Sequence, residues 1–243
     1  MRLIIGDAFG LEIYAAFMGN PQAEIIERED GLISARSHTQ DYLDPFPLWH
    51  VTDRKAMRFA RGRVLDVGCG GGRHSLYLQE KGLDVVGIDN SSLAVEVCKR
   101  RGLKNVKLMS LAQVNHNLGK FDTVLMMGNN FGLMENRDRA KILFKKFFRL
   151  TTSQGRIIAQ TADPYNTQNP DHLSYHKSNL TRGRMAGQVK IRVRYNRIAS
   201  PWFDYLLVSK SELEELVSGT GWRVARYLEA TDSPVYVAII EKT

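Results

Sequence analysis

Val64-Leu-Asp-Val-Gly68-Cys-Gly70-Gly-Gly72-Arg-His74 holds the strongest signal in these 243 residues. A short apolar run breaks into glycines at 68, 70, 71 and 72, which reads as a buried strand entering a loop. Glycine admits positive φ and lets a ligand approach the main chain closely. His74 to Lys81 reads as a helix stopped by Gly82. The free N–H groups at its start can face the polar or anionic end of a ligand. Asp84-Val-Val-Gly-Ile-Asp89 reads as a second buried strand. A carboxylate at its end can accept hydrogen bonds from two vicinal hydroxyls, so loop and acid together imply a ligand with a ribose. A dinucleotide fingerprint would place a third glycine at position 73. Arg73 stands there instead and would crowd a pyrophosphate. Asp66 adds negative charge near the loop, which suits a ligand carrying an amino group and a sulfonium better than a nicotinamide or flavin dinucleotide.

Working outward, Ser91 or Asn90 can cap a helix whose face is Leu93, Ala94, Val97 and Cys98, ended by Gly102. Residues 106–109 and 121–127 read as strands. Residues 136–150 read as a helix with Ala140, Leu143, Phe144, Phe147 and Phe148 on one stripe. Residues 155–162 read as a strand. Alternating strands and helices imply a parallel sheet that binds ligands at the carboxyl ends of its strands. The end of the chain differs. Residues 202–208 read as a strand, and Ser209-x-x-Glu212 is a capping box opening a short helix. Residues 222–228 and 235–240 are strands joined without a helix, hence antiparallel neighbours. Residues 1–60 read as mixed, with a helix at 48–60. Residues after 164 begin as an irregular polar segment.

At the glycine loop, at Asp89 and at the closing hairpin, the sequence resembles the class I S-adenosylmethionine-dependent methyltransferase family. The resemblance covers about residues 60–163 in order, and 202–243 more loosely. It implies a Rossmann-like α/β fold with a mostly parallel seven-stranded sheet and an antiparallel C-terminal strand. An N-terminal lid and a small inserted β segment would be added to it. One domain over 1–243 is expected, built from an extension at 1–60, a cofactor-binding core at 61–163, an acceptor-side insert at 164–208 and a closing helix and hairpin at 209–243. The implied cofactor is S-adenosylmethionine, with S-adenosylhomocysteine as product. Gly68, Cys69 and Gly70 would pack on its methionine part, and Asp66 would organise the loop or bind the amino group. Asp89 would hold the ribose, with Asn90 beside the adenine. Ser110 and Leu111 stand where the family contacts the adenine, although the family often has an acid there and Ser110 departs from that. Met127 and Tyr42 complete the expected cofactor contacts.

Met126-Met-Gly128-Asn-Asn130-Phe-Gly132 follows the fourth strand, where the family borders cofactor and acceptor. It lacks the prolines of amino-methyltransferases acting on DNA bases or glutamine. Neither Cys69 nor Cys98 fits a cytosine-C5 nucleophile, and no acid cluster fits a metal-dependent catechol-type enzyme. A base is required only if the acceptor must lose a proton. The candidates are His38, Asp41, Tyr42, His50, Tyr165, His172 and His176. Tyr42, His50, Asn129 and Tyr165 are the residues singled out for a catalytic role.

The net charge of +8 invites an anionic partner or simply a basic, soluble surface. The histidines have no metal-ligand spacing, the two cysteines form no disulfide framework and no apolar run reaches bilayer-spanning length. A metal-free, cytoplasmic protein without membrane contact is expected. Residues 36–50 could fold over the cofactor as a lid, with Tyr42 and Trp49 facing the sulfonium or carboxylate. Val189-Lys-Ile-Arg-Val-Arg-Tyr195 alternates strictly, one face apolar and the other Lys190, Arg192 and Arg194. A small-molecule acceptor is favoured. The alternatives are an RNA or protein acceptor using the basic 182–197 strand, and a non-catalytic module that binds the cofactor.

Overall fold

The computed structural model describes residues 4–36, 39–231 and 233–243. In chain order the elements begin with β1 (Ile4–Ile5), α1 (Ala8–Phe17), β2 (Glu24–Arg28), β3 (Ile33–Arg36) and α2 (Val51–Ala56). Then come β4 (Arg63–Val67), α3 (Arg73–Glu80), β5 (Asp84–Asp89), α4 (Ser92–Arg100) and β6 (Val106–Leu108). They are followed by β7 (Phe121–Met126), α5 (Arg137–Leu150), β8 (Thr151–Ala162), α6 (Pro170–Thr181) and β9 (Gln188–Tyr195). The last are β10 (Ile198–Ala199), β11 (Phe203–Leu206), α7 (Lys210–Val217), β12 (Trp222–Glu229) and β13 (Val235–Lys242). Two compact units divide the chain: Met1–His50 with Arg63–Val114 and Lys190–Phe203, and Val51–Gly62 with Asn115–Val189 and Asp204–Thr243.

In the first unit, β4, β5 and β6 are parallel neighbours, Leu65 opposite Val86 and Gly87 opposite Val106. Val64, Leu65, Val67, Val85, Val86 and Ile88 are buried, as continuous apolar strands covered on both faces require. Ser91 caps α4, its hydroxyl accepting from the Ala94 amide at 3.0 Å. A second, smaller sheet lies in the same unit. Antiparallel β2 joins β3 on one side and β9 on the other, with Glu27 opposite Arg192. Helix α1 packs Ile13 and Ala16 against Ala94 and Val97 of α4. The sequence reading missed α1, β2 and β3. Strands β2 and β3 are short, and β2 gains its second partner 165 residues away, where no local pattern can announce it.

In the second unit, β7 and β8 are parallel, β13 is antiparallel to β8, and β12 is antiparallel to β13. The closing hairpin is therefore present. Helix α5 buries Ala140, Leu143, Phe144 and Phe147, but Phe148 falls off the expected stripe and is 38% exposed. Its ring sits edge-on to Trp222, whose indole N–H donates to the Phe144 carbonyl at 2.9 Å. Both halves of the capping box form at α7. Within 164–187, read as irregular, α6 forms behind an Asn169 cap with Pro170 in its first turn. Together the units hold the seven mostly parallel strands that the resemblance implied, three in one and four in the other. Among the described residues no helix is long and apolar enough to cross a membrane.

One glycine of the second unit is committed by packing alone. A Cβ on Gly132 would fall 2.1 to 2.3 Å from ring atoms of Tyr205. Gly132→Ala should therefore cost about 1–3 kcal/mol as an overpacking change. Urea melts would show it, and an unchanged midpoint would mean that the Tyr205 ring moves freely.

Candidate functional site

The glycine loop is built on unusual backbone. Gly68, Gly70 and Gly72 have φ of 68°, 53° and 79°, a region where side chains are strained. The Gly68 and Cys69 amides both donate to the Ile88 carbonyl, at 2.9 and 3.0 Å, which ties the loop to β5. The Gly70 amide donates to Asp89 Oδ2 at 2.9 Å, and the Ser91 amide donates to Asp89 Oδ1 at 2.9 Å. Each Asp89 oxygen thus has one backbone donor and a lone pair to spare. Burial lifts the Asp89 carboxyl above the usual range, against the stabilising Ser91 and Gly70 amides.

Asp66, at the end of β4, is buried and accepts from the Ser75 hydroxyl at 2.6 Å. Burial pushes it up to about 6; the Ser75 bond opposes the rise and the Asp89 charge adds to it. The Ser75 bond ties β4 to the first turns of α3. The next helix start is equally buried. His74 packs edge-on to Trp49 at 4.7 Å, and burial, then Arg73, holds its imidazole well below the ordinary value, so the ring is neutral.

Segments from the N-terminal region lie directly on this loop. A Cβ on Gly70 would sit 3.5 Å from Ile13 Cδ1 and 3.9 Å from Phe9 Cζ. One on Gly71 would meet Leu43 Cδ2 at 2.5 Å and the Tyr42 carbonyl at 2.8 Å. The covering group is therefore α1 as well as part of residues 36–50. Within that segment the expected roles shift. Tyr42 donates its hydroxyl to Glu24 at 2.9 Å and sets its ring edge-on to Phe9. Trp49 is buried, donates to the Asp44 carbonyl at 2.7 Å and lies beneath the Arg73 guanidinium. It anchors the segment on α3. His50 is exposed, and His38 lies outside the described residues.

The remaining expected contacts are placed as follows. Asn90 is exposed at the end of β5. Ser110 is half-buried and takes the Gln113 side chain, its amide donating at 2.8 Å; Leu111 begins the turn that follows. In the second unit Met127 is 2% exposed. Tyr165 donates to Glu212 at 3.0 Å, and burial, then Glu212, pushes it up to about 12. It keeps its proton at neutral pH and offers no base there.

Residues 64–155 match the family model described as a methyltransferase domain. Residues 64–155 thus carry a methyltransferase domain. The glycine/sarcosine N-methyltransferase of Parasynechococcus marenigrum (strain WH8102) is 38% identical over 102 residues, 39% of this chain and 36% of that protein. The chain thus spans about two fifths or less of the length of the curated relatives it matches. A SAM-dependent methyltransferase from Bacteroides fragilis, crystallised with S-adenosylhomocysteine, superposes with a TM-score of 0.82 at 24% identity, over 100% of this chain and 98% of that one. The CcbJ methyltransferase from Streptomyces caelestis superposes with 0.60 at 15% identity, over 84% and 98%. These two share its fold.

The second unit of the chain holds a polar cluster that sequence reasoning missed. Gln160 of β8 accepts from the Gly128 and Asn129 amides at 2.8 and 3.1 Å and donates to Asp53 of α2 at 2.7 Å. Tyr205 donates to the Asn129 carbonyl at 2.5 Å. Asn129 is thereby held at φ 62°. Its side-chain Oδ1 is buried without a hydrogen-bond partner. The one available signal was Gln160 itself, a polar side chain within the apolar run Ile157-Ile158-Ala159.

Proposed function

We propose that this chain transfers the methyl group of S-adenosylmethionine to a nitrogen or oxygen of a small-molecule acceptor. One observation carries the reading: the glycine loop and Asp89 are locked together through the Gly70 amide, with carboxylate lone pairs left over. That constellation fits a ribose next to a close main-chain approach. The cofactor supplies an already activated sulfonium methyl. The chain's part is therefore to hold, orient and exclude water. In this reading Asp89 binds the ribose, and Gly68, Cys69 and Gly70 face the methionine part. Asp66 holds the loop through Ser75. Asn90, Ser110 and Leu111 border the adenine. Tyr42 contributes its ring, since its hydroxyl is engaged by Glu24. Asn129 Oδ1 is a hydrogen-bond acceptor suited to an N–H or O–H of the methyl acceptor. The small amine substrates named for the Parasynechococcus marenigrum relative favour a small nitrogen acceptor.

Titration calorimetry with S-adenosylhomocysteine tests the cofactor. Incubation of a small-molecule extract with methyl-labelled donor tests transfer. No heat with the first would sink the whole reading. Label transfer to any acceptor would exclude a module that only binds the cofactor.

A nucleic-acid acceptor is the second reading, raised by the charge of β9. Arg192, however, makes two bonds of 2.9 Å with Glu27 and lies 4.4 Å from the Trp202 ring, and Arg194 reaches the same carboxylate at 3.4 Å. Two of the three basic side chains of that face are thus held by one carboxylate within their own sheet. Binding of labelled single-stranded RNA should accordingly be weak, with a shallow dependence on salt. A steep loss of affinity between about 50 and 200 mM salt would instead revive the RNA acceptor.

A further inference from the structure

The only two cysteines of the chain meet beside the glycine loop. Cys69 lies inside the loop, between Gly68 and Gly70. Cys98 lies on the buried face of α4. Their sulfurs are 3.9 Å apart, and the Cys98 thiol donates to the Gly70 carbonyl at 3.1 Å. Glycine surrounds the pair: a Cβ at Gly72 would fall 2.9 Å from Cys98 Sγ, and one at Gly87 would fall 3.1 Å from Cys69 Sγ. Nothing but glycine fits at these two positions without displacing a thiol.

We propose that Cys69 and Cys98 are a disulfide-forming pair, and that closing the bond pulls the glycine loop out of its cofactor-binding shape. A disulfide needs its sulfurs about 2.0 Å apart. One or both must therefore move by nearly the same distance again. Helix α4 is anchored by its buried face, whereas Cys69 has positive-φ glycines on both sides, so the loop is the part that gives. Two contacts are lost as it moves. The Cys98 thiol can no longer donate to the Gly70 carbonyl, and the Gly70 amide is dragged from Asp89 Oδ2. The second is the bond that holds the ribose-binding acid against the loop, so the effect on the cofactor rests on the proposed function.

The oxidant is a peroxide, small enough to reach a thiol that is 7% exposed. Cys69 sulfur attacks one peroxide oxygen, the O–O bond breaks, and sulfenic acid and water form. The Cys98 sulfur then displaces hydroxide from the sulfenic sulfur, giving the disulfide and a second water. Two thiols lose two electrons and two protons, and the peroxide takes up both. Contact with Cys98, together with burial, pushes the Cys69 thiol up, so the pair stays reduced at neutral pH under low oxidant and reacts faster as pH rises.

The test treats the intact protein with millimolar hydrogen peroxide and maps its peptides, with S-adenosylhomocysteine affinity measured before and after. A cross-linked Cys69–Cys98 peptide is expected, together with at least tenfold weaker binding, both reversed by dithiothreitol. Cys98→Ser should bind within a few fold of the wild type when reduced, because its hydroxyl can still donate to the Gly70 carbonyl. After peroxide it should stop at a sulfenic acid trappable by dimedone. Absence of the cross-linked peptide overturns the proposal, and so does a cross-linked protein with unchanged affinity. A reduced wild type that binds no S-adenosylhomocysteine would instead refute the cofactor reading, a result separable from the peptide map.

Discussion

Asp89→Ala should weaken binding of S-adenosylhomocysteine by about a hundredfold or more, while leaving most of the fold intact. Two hydrogen bonds to a charged group, at about 1.5–3 kcal/mol each, correspond to about two to four powers of ten in affinity. The variant also strips the Gly70 and Ser91 amides of their acceptor. Asp89→Asn separates the two causes, because it keeps one carbonyl oxygen and the side-chain shape but loses the charge. Gly70→Val should act as strongly by another route. A β-branched residue is a poor fit at φ 53°, and its side chain would press on Ile13 and Phe9. Calorimetry on both, with circular dichroism as a check on folding, decides the matter. Wild-type affinity in both would remove the site. The same carboxylate predicts a pH dependence. Protonation costs Asp89 its acceptor strength, so affinity should fall as pH drops. Its raised pKa places that fall at higher pH than an ordinary aspartate would.

Glu12→Gln should stabilise the protein, and increasingly so with rising pH. Glu12 is fully buried on α1, and neither carboxylate oxygen has a hydrogen-bond partner. Burial, then the Glu24 charge, pushes it from 4.5 up to about 9. The folded chain therefore keeps a proton that the unfolded chain releases near 4.5. Stability from this group is complete below the unfolded value, drains away as pH climbs, and levels off above about 9. At pH 7 the accumulated loss is on the order of 3 kcal/mol at one pKa unit per 1.4 kcal/mol. Glutamine has nearly the same shape and no proton to lose. Its variant should melt several degrees higher at pH 7, at about 2–4 °C per kcal/mol for a chain of this size. The gap should close toward pH 4.5 and widen toward pH 9. A gap that stays constant across that range would show that Glu12 does not carry a buried proton.

Local signals explain how much of the fold was legible in the sequence. Strand, glycine loop, helix and second strand over 63–89 lie where the apolar runs and glycines put them. Each is set by neighbours within a few residues: the Ser91 cap, the Ser209–Glu212 box, the stop at Gly82. Most element ends drifted by a residue or two, but β8 starts at Thr151, four residues before the expected 155, and α2 starts at Val51, three after the expected 48. The first 36 residues were opaque for the opposite reason. Strand β2 is short and alternates imperfectly, and it exists because β9 and β3 offer hydrogen bonds to it. Trp49 and Tyr42 were expected to face the cofactor, and their polar atoms are engaged by Asp44 and Glu24. No spacing rule could have paired those groups.

The amino-acid sequence by itself therefore pointed to a methyltransferase domain, because the positive-φ glycine loop and the acid that ends the next strand are close in the chain and chemically distinctive. Tertiary structure alone decided the rest. It brought Glu27 to Arg192 and Arg194, which engages two of the three basic side chains that had suggested RNA. It set Gln160 between Asp53 and the Asn129 loop, and it buried Glu12 beside Glu24. These are contacts between side chains far apart in sequence, and their energies depend on burial and partner geometry that no local pattern encodes.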